Sequence, residues 1–258
     1  MTRANSSGDR RPRDEGCHAR DAIETGGYEM LLIKQSAGRF LAQRPALRSS
    51  IKELVELAFW RKTLWKSKGR FYNAHLVPFY TTFFGLDREF YASKRVLDVG
   101  CGPVGSLEWA TEALERVGLD PLADSYVKLN RGLHQMRYVA APSENIPFPN
   151  GRFDVVTMFN ALDHVEDVGR TVGELKRVCA PGGTILLIVE INHPPTVTEP
   201  HLLDMSIVDQ FDDFTVARIE VFGIRDDHDV YGSLTDRHPF PGADKPGILC
   251  LRLTKKLN

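Results

Sequence analysis

Apolar and polar positions along the chain divide it into three regions. The first 27 residues contain almost no large apolar side chain, so we expect a disordered tail over residues 1–27. Apolar residues then recur at helical spacing and predict helices over residues 28–43 and 50–69, followed by a stretch rich in aromatic residues. From residue 91 the pattern changes to short apolar runs that alternate with amphipathic segments. We therefore expect a helical cap or lid over residues 28–90 and a larger domain over residues 91–258.

The alternating pattern of the larger domain predicts an α/β fold. Apolar runs predict seven strands, which begin near residues 94, 117, 136, 153, 182, 215 and 247. Helices are predicted over residues 106–117, 123–133, 169–179 and 201–211. Strands that alternate with helices form a doubly wound, mostly parallel sheet that is covered on both faces. Only a loop separates the last two predicted strands, so we expect a hairpin at one edge of the sheet.

Composition is typical of a globular protein. The chain has 258 residues, of which 42% are hydrophobic and 26% charged, and this excludes collagen, a coiled-coil rod and a fully disordered chain. The longest strongly apolar run, Thr184–Val189, is shorter than the roughly 20 residues that cross a bilayer. The N-terminal residues lack the apolar core of a secretory signal, and the four cysteines lack C-x-x-C spacing. We expect a cytoplasmic protein with reduced thiols and no membrane association.

Charge is balanced overall but divided along the chain. The formal net charge of −1 makes a dedicated nucleic-acid binder unexpected. Residues 44–95 contain 11 Lys and Arg against four Asp and Glu, whereas residues 204–246 contain ten acidic residues against four basic ones. Two interpretations stay open: oppositely charged faces that cancel, or a basic surface that attracts an anionic substrate.

The most specific chemistry follows the first predicted strand of the larger domain, in the segment VLDVGCGPVG. Gly100 and Gly102 form a G-x-G turn, predicted to open a helix, and glycine there lets the backbone turn tightly and lets a ligand approach. Gly105 completes the G-x-G-x-x-G spacing of dinucleotide sites. Asp98, however, precedes the first glycine by two residues, where its carboxylate would repel a pyrophosphate. The segment therefore favours a ligand with a cationic amino-acid part.

This segment resembles the first motif of the class I S-adenosylmethionine-dependent methyltransferases, in the small-molecule branch typified by ubiquinone and sterol methyltransferases. Later segments resemble the other motifs of that family in order and spacing: VGLDP, SENIPFPNGRFDVV, FDVVTMFNALDHVED and ELKRVCAPGGTILL. The resemblance covers residues 91–191 and implies a Rossmann-like fold that binds S-adenosylmethionine.

The resemblance also implies which residues hold the cofactor. The glycine loop would hold the methionine part, and Asp120, at the end of the second strand, would accept hydrogen bonds from both ribose hydroxyls. The segment after the third strand would flank the adenine, with Pro142 where the family often has an aspartate. The asparagine that ends the fourth strand would lie near the methionine part. The implied set is Asp98, Gly100, Cys101, Gly102, Asp120, Pro121, Ser143, Glu144, Asn145 and Asn160.

Polar residues at the ends of strands four and five are the candidates for the acceptor side, because ligands of open α/β sheets bind at the carboxyl ends of the strands. These residues are Asp163, His164, Glu190, His193, Glu199 and His201. Three alternatives stay open. His164 or His193 acts as a general base oriented by Asp163 or Glu199; His193, Glu199 and His201 bind a metal ion; or these side chains only cap helices and satisfy loops. We assign His164, His193 and Asp163 as catalytic candidates and assign no metal ligand.

The sequence predicts a methyltransferase that acts on an oxygen or nitrogen atom of a small molecule. Strand four does not end in the N/D-P-P-Y/F motif of amino-methylating DNA enzymes, and no Pro-Cys nucleophile is present for cytosine chemistry. One alternative is an RNA or protein methyltransferase that uses the basic residues 44–95. Another is a non-methylating scaffold, which side chains that block the glycine loop would favour. In the aromatic stretch, Tyr72, His75 and Tyr80 have polar ends that could reach a ligand.

Overall fold

The computed structural model describes residues 45–71, 73–196, 198–226 and 228–257. The chain divides into two units, Met1–Pro45 and Ala46–Asn258, and the description below concerns the second. The tail predicted over residues 1–27, the helix predicted over residues 28–43 and the candidate Tyr72 lie outside the described residues.

A mixed seven-stranded sheet forms the centre of the second unit. The strands are β1 (Arg95–Val99), β2 (Glu115–Leu119), β3 (Arg137–Val139), β4 (Phe153–Phe159), β5 (Cys179–Ile191), β6 (Phe214–Gly223) and β7 (Gly247–Lys255). Their order is β3-β2-β1-β4-β5-β7-β6. Strands β1 to β5 are parallel, and β7 runs antiparallel to both of its neighbours. This confirms the predicted α/β fold with a mostly parallel sheet.

Helices lie between and before these strands. The α-helices of the described residues are α1 (Pro45–Lys66), α2 (Val77–Tyr80), α3 (Ala123–Leu129), α4 (Val168–Val178) and α5 (Val230–Thr235). Single 3-10 turns occupy Ala74–Leu76, Thr82–Phe84, Glu89–Tyr91 and Leu162–His164, and a longer one Met205–Phe211. Helix α4 begins where the side chain of Asp167 accepts a hydrogen bond from the backbone amide of Arg170. None of the described helices has the length and apolarity required to span a membrane.

The helix predicted over residues 106–117 is wrong. Successive turns replace it, with backbone bonds from Ala110 N to Leu107 O and from Ala113 N to Ala110 O, and β2 begins at Glu115. Trp109 is buried against the rings of Tyr80 and Tyr91, so contacts with a distant segment fix these turns. The glycine loop therefore opens into turns and not into a helix.

The C-terminal strands confirm the predicted edge hairpin, with one difference. Strand β6 lies at the sheet edge and pairs antiparallel with β7. The connection contains helix α5 where the sequence predicts only loop. The side chain of Asp229 caps this short helix by accepting a hydrogen bond from the backbone amide of Gly232.

Two apolar cores cover the two faces of the sheet, because alternate residues of each strand point to opposite faces. One core packs strand residues such as Leu97 and Leu187 against the apolar side of α4. The other contains Val96 and Ile188 together with most of the aromatic stretch. Phe79, Tyr80, Phe84 and Tyr91 are all at most 4% exposed, whereas His75 is exposed. The aromatic stretch therefore serves chiefly as part of this core.

Candidate cofactor and acceptor site

The turn after β1 requires glycine for two separate reasons. Gly100 and Gly102 both have positive φ, +72° and +56°. A Cβ atom on Gly100 would lie 2.5 Å from the Cβ atom of Ala161, which follows β4. The backbone of this loop consequently lies close to the carboxyl end of the neighbouring strand, and no side chain separates the two.

Asp98 lies on β1 beneath the glycine loop and is 2% exposed. Its carboxylate accepts hydrogen bonds from the hydroxyl groups of Tyr80 (3.0 Å), Thr157 (2.6 Å) and Ser106. Burial raises the pKa of this carboxyl group, and the three hydroxyl donors oppose that shift. Asp98 therefore holds the loop to the aromatic core, and its direct contact with a cationic ligand stays a prediction.

Asp120 lies directly after β2 and joins that strand to the glycine loop. Its carboxylate accepts hydrogen bonds from the backbone amides of Leu122 (2.9 Å) and Gly102 (3.3 Å). The pKa of Asp120 is raised to about 7: burial is the largest cause and the charge of Glu56 adds to it, while both amides and Lys52 oppose the shift. A buried carboxylate at this strand end is a suitable acceptor for two hydroxyl groups.

We expect the Asp120→Asn variant to gain stability relative to the wild type as the pH rises. The folded-state pKa of about 7 lies above the value of about 3.9 for an unfolded chain, so Asp120 destabilises the fold progressively between about pH 4 and pH 7. Asparagine does not titrate. Urea unfolding at pH 4.5 and pH 8 should show the difference between the two proteins change by about 3 kcal/mol. Equal differences at the two pH values would contradict this.

The segment predicted to flank the adenine is mostly engaged within the protein. Ser143 is buried and its hydroxyl pairs with that of Thr171 at 3.0 Å. The carboxylate of Glu144 accepts hydrogen bonds from the backbone amides of Glu166 (2.7 Å) and Asp167, and so connects this loop to the start of α4. Asn145 is exposed. The structure thus gives two of these residues structural contacts, and their contact with adenine stays a prediction.

Asn160 directly follows β4 and carries a buried polar atom without a hydrogen-bond partner among the described residues. Its backbone has a positive φ of +49°, and its amide donates to Ile188 O at 2.7 Å. Its side-chain Oδ1 is buried and makes no hydrogen bond to any described residue. Buried amide oxygens are normally satisfied, so this atom is a candidate ligand contact. Two other predicted residues differ in environment: Cys101 is buried, which raises the pKa of its thiol, and Pro121 is exposed.

Helix α1 contacts the glycine loop and the residues beyond β2. An aromatic carbon of Trp60 lies 3.4 Å from the position that a Cβ atom on Gly102 would take. The carboxylate of Glu56 accepts a hydrogen bond from the hydroxyl of Tyr126 at 2.7 Å. These contacts agree with a cap over the cofactor region. They also mean that a ligand on the loop would have to pack against Trp60 or displace it.

A cavity of about 390 Å³ lies beside the glycine loop, between the end of α1 and the segment before β3. Its walls include Leu64, Phe71, Glu108 and His134. The cavity does not include the carboxyl ends of β4 and β5, where the candidate acceptor residues lie.

Three carboxylates and three imidazoles converge at the ends of β4 and β5. We call this group the rim cluster; its members are Asp163, His164, Glu190, His193, Glu199 and His228. The first five are candidates predicted from the sequence, and the structure brings them together. The sixth, His228, could not be predicted, because it precedes α5 and bears no spacing relation to the other members.

The rim cluster contains two groups of close contacts, which Glu199 connects. His164 Nε2 lies 4.0 Å from Asp163 Oδ1 and 3.9 Å from Glu199 Oε1, and His193 Nδ1 lies 3.8 Å from Glu199 Oε2. In the second group, His228 Nε2 lies 3.2 Å from the carboxylate of Glu190. All six side chains therefore form one continuous acid–imidazole network.

Burial and mutual repulsion set the charge state of the rim carboxyl groups. Burial raises the pKa of Asp163, with Glu199 adding to the shift and the imidazoles of His164 and His193 opposing it. Burial likewise raises the pKa of Glu190 to about 7, where His228 opposes the shift and the other two carboxylates add to it. Asp163 Oδ1 and Glu190 Oε2 are buried without a hydrogen-bond partner among the described residues. The cluster is therefore rich in acceptor atoms and short of positive charge.

Other polar contacts at the rim are structural. The Nζ atom of Lys52 donates to the backbone oxygen of His164 and so joins α1 to the turn after β4. His201 Nε2 lies 2.8 Å from the backbone oxygen of Val165, which engages this ring outside the rim cluster. The metal set suggested by the sequence, His193, Glu199 and His201, is therefore not the grouping that the structure brings together.

The residues around the glycine loop fit S-adenosylmethionine, the cofactor implied by the sequence resemblance. Gly100 and Gly102 offer backbone without side chains, Asp120 offers a buried carboxylate at the position expected for ribose hydroxyls, and Asn160 offers an unpaired amide oxygen. These groups would hold the sugar and the cationic methionine part of the cofactor. The Trp60 side chain would have to move away from the loop or pack against the bound cofactor.

Comparison with known proteins supports the same assignment. Residues 97–187 match the family model described as a methyltransferase domain. Tocopherol O-methyltransferase of Arabidopsis thaliana is 33% identical over 103 residues, which are 37% of this chain and 30% of that protein. A ubiquinone/menaquinone biosynthesis C-methyltransferase of Ralstonia pickettii is 37% identical over 90 residues, or 34% of each protein. The matches thus span about a third of the length of these two relatives.

A solved structure shows the same fold. The putative methyltransferase of Bacillus halodurans superposes with a TM-score of 0.52 over 71% of this chain and 99% of that one, at 19% identity. Its likeness extends over the sheet and therefore beyond the segment that the family model matches. Residues 97–187 thus match a methyltransferase domain, and the chain around them has the α/β fold of a solved structure that is named a putative methyltransferase.

Proposed function

We propose that the protein transfers the methyl group of S-adenosylmethionine to an oxygen or nitrogen atom of a small-molecule acceptor. The observation that carries this proposal is the rim cluster, which lies at the carboxyl ends of β4 and β5, next to the glycine loop of β1. An acceptor at the cluster would lie beside the cofactor. Two of the relatives are named as a tocopherol O-methyltransferase and a ubiquinone/menaquinone biosynthesis C-methyltransferase; both names support a small-molecule acceptor, and the first supports transfer to oxygen.

The side chains of the chain have separate roles in this proposal. Bound S-adenosylmethionine supplies an electrophilic methyl group. Asp120 binds the ribose hydroxyls, and the glycine loop and Asn160 hold the methionine part. His164 accepts the proton of the acceptor on its imidazole, and Asp163 and Glu199, both within 4.0 Å of Nε2, stabilise the imidazolium that forms. His193 is the alternative base, with Glu199 as its partner.

The basic surface of α1 favours an anionic acceptor. Arg61, Lys62 and Lys66 are exposed on the helix that covers the glycine loop. Such a surface attracts negatively charged ligands to the site. It also supports the second candidate function, an RNA methyltransferase, which an assay with short RNA oligonucleotides as acceptors would detect.

The contact between Trp60 and Gly102 favours a third candidate, a scaffold that does not methylate. Calorimetry with S-adenosylmethionine and with its demethylated product distinguishes the candidates. We expect the wild type to bind both compounds in the micromolar range. Binding should also change the tryptophan fluorescence of the wild type but not that of the Trp60→Phe variant. Failure of both the wild type and a Trp60→Ala variant to bind would refute the proposed function.

Turnover needs the acceptor, which mass spectrometry of co-purified ligands can identify. The expected result is formation of demethylated cofactor that depends on the acceptor found. Tight cofactor binding without product for any small molecule or RNA tested would instead favour the scaffold.

A further inference from the structure

Glu190, His193 and His228 form a compact donor set inside the rim cluster. One ligand atom of each residue lies within 4.8 Å of those of the other two. The rings of His193 and His228 are 5.3 Å apart and inclined at 59° to each other, so their nitrogens can face a common point. The three residues come from the end of β5, from the turn after it, and from the loop before α5.

A second observation concerns the buried carboxylate of this set. Glu190 is 5% exposed, and its Oε2 lies 3.2 Å from His228 Nε2, which belongs to the same set, with no hydrogen-bond partner elsewhere among the described residues. Leaving a buried carboxylate oxygen unsatisfied is costly, and a cation is the partner that a carboxylate accepts most readily. Asp163 and Glu199 place further negative charge nearby.

We propose that Glu190, His193 and His228 bind a divalent transition-metal ion of the zinc type. Two imidazoles and one carboxylate are the ligand set of catalytic zinc sites, where a further position is open to water or substrate. Bonds of about 2.0–2.1 Å would require the three ligand atoms to approach one another by roughly an ångström. His228 is exposed, so the remaining coordination position of the ion would be accessible from solvent on that side.

The ion has a role in the reaction only if the proposed function holds. It would then bind an oxygen atom of the acceptor, which points to acceptors with a hydroxyl or carboxylate group beside the methylated atom. In this arrangement His193 is a metal ligand, and His164 remains the proton acceptor. The group of Asp163, His164 and Glu199 carries two carboxylates and one imidazole at ion-pair distances of 3.9–4.0 Å, and its His164 is better suited to proton transfer.

Titration of the chelator-treated full chain with Co²⁺ tests the site without cofactor or acceptor. We expect one equivalent of Co²⁺ to bind and to give the visible absorption of a site that contains imidazole. Zn²⁺ should displace the bound Co²⁺, whereas millimolar Mg²⁺ should not. Glu190→Gln and His228→Ala should each weaken Co²⁺ binding by about 100-fold or more. His228 is half-exposed, so its removal leaves the core intact. His238→Ala, which removes a histidine outside the rim cluster, should bind as the wild type does.

Three results would overturn the metal site. The first is no stoichiometric Co²⁺ binding by the wild type, and the second is wild-type Co²⁺ affinity in His228→Ala. The third is loss of Co²⁺ binding in His164→Ala or His201→Ala while His228→Ala still binds. Failure of the metal site is distinguishable from failure of the proposed function. A protein that binds and turns over S-adenosylmethionine but binds no Co²⁺ refutes the site alone, whereas Co²⁺ binding without cofactor binding refutes the function alone.

Discussion

Replacing His164 with alanine is expected to lower kcat by about 10²–10⁴-fold and to leave the affinity for S-adenosylmethionine nearly unchanged. The reason is that His164 Nε2 faces the carboxylates of Asp163 and Glu199 at the rim, whereas Asp120 and the glycine loop supply the cofactor contacts. Steady-state formation of demethylated cofactor measures the first effect, and calorimetry measures the second.

Two controls separate catalysis from folding in this experiment. His238→Ala removes a histidine outside the rim cluster and should retain wild-type turnover and melting temperature. Added imidazole should restore part of the activity of His164→Ala, because the small base can occupy the vacated space. A wild-type kcat in His164→Ala would show that His164 has only a structural role. Catalysis would then depend on holding the acceptor close to the methyl group.

Much of the fold follows from apolar periodicity, because buried strands of a parallel sheet are continuous apolar runs. The runs that contain Val96 and Ile188 are such strands, and both lie in the centre of the sheet. The helix predicted over residues 106–117 fails for a different reason. Its residues have helical spacing, but Trp109 is held by rings from the aromatic stretch, and that tertiary contact is not visible in the local sequence.

The candidate site was predictable where it depends on strand ends. Carboxyl ends of neighbouring parallel strands meet at one edge, so Asp120, Asn160 and Glu190 could be expected on the same side of the sheet. Contacts between segments far apart in the chain could not be predicted. Two such contacts are the one between Trp60 and Gly102 and the one between His228 and Glu190.

Asp98 shows the same limit for a residue that a motif does identify. Its position before the glycine turn marks it as important, but spacing does not show that the Tyr80 hydroxyl reaches it from 18 residues upstream. The structure therefore adds a supporting role to a residue that the sequence presents only as a ligand contact.

Replacing Asp120 with alanine is expected to weaken cofactor binding by about 1.5–3 kcal/mol, or roughly 10- to 150-fold, the scale of hydrogen bonds to a charged group. The wild-type affinity should also depend on pH. Because the pKa of Asp120 is raised to about 7, the carboxylate that accepts from the ribose hydroxyls forms only as the pH rises through that value. We expect affinity to increase between about pH 6 and pH 8 and then to level, as calorimetry at stepped pH would show.

Two variants give this expectation a specific control. Glu56 raises the pKa of Asp120, so Glu56→Gln should move the midpoint of the pH dependence to lower pH while its amide oxygen still accepts from Tyr126. Asp124→Ala removes an exposed acid from the first turn of α3 and should leave both affinity and midpoint unchanged. Equal affinity of Asp120→Ala and the wild type at pH 8, or a wild-type affinity that stays constant from pH 6 to pH 8, would show that Asp120 does not bind the cofactor as a carboxylate.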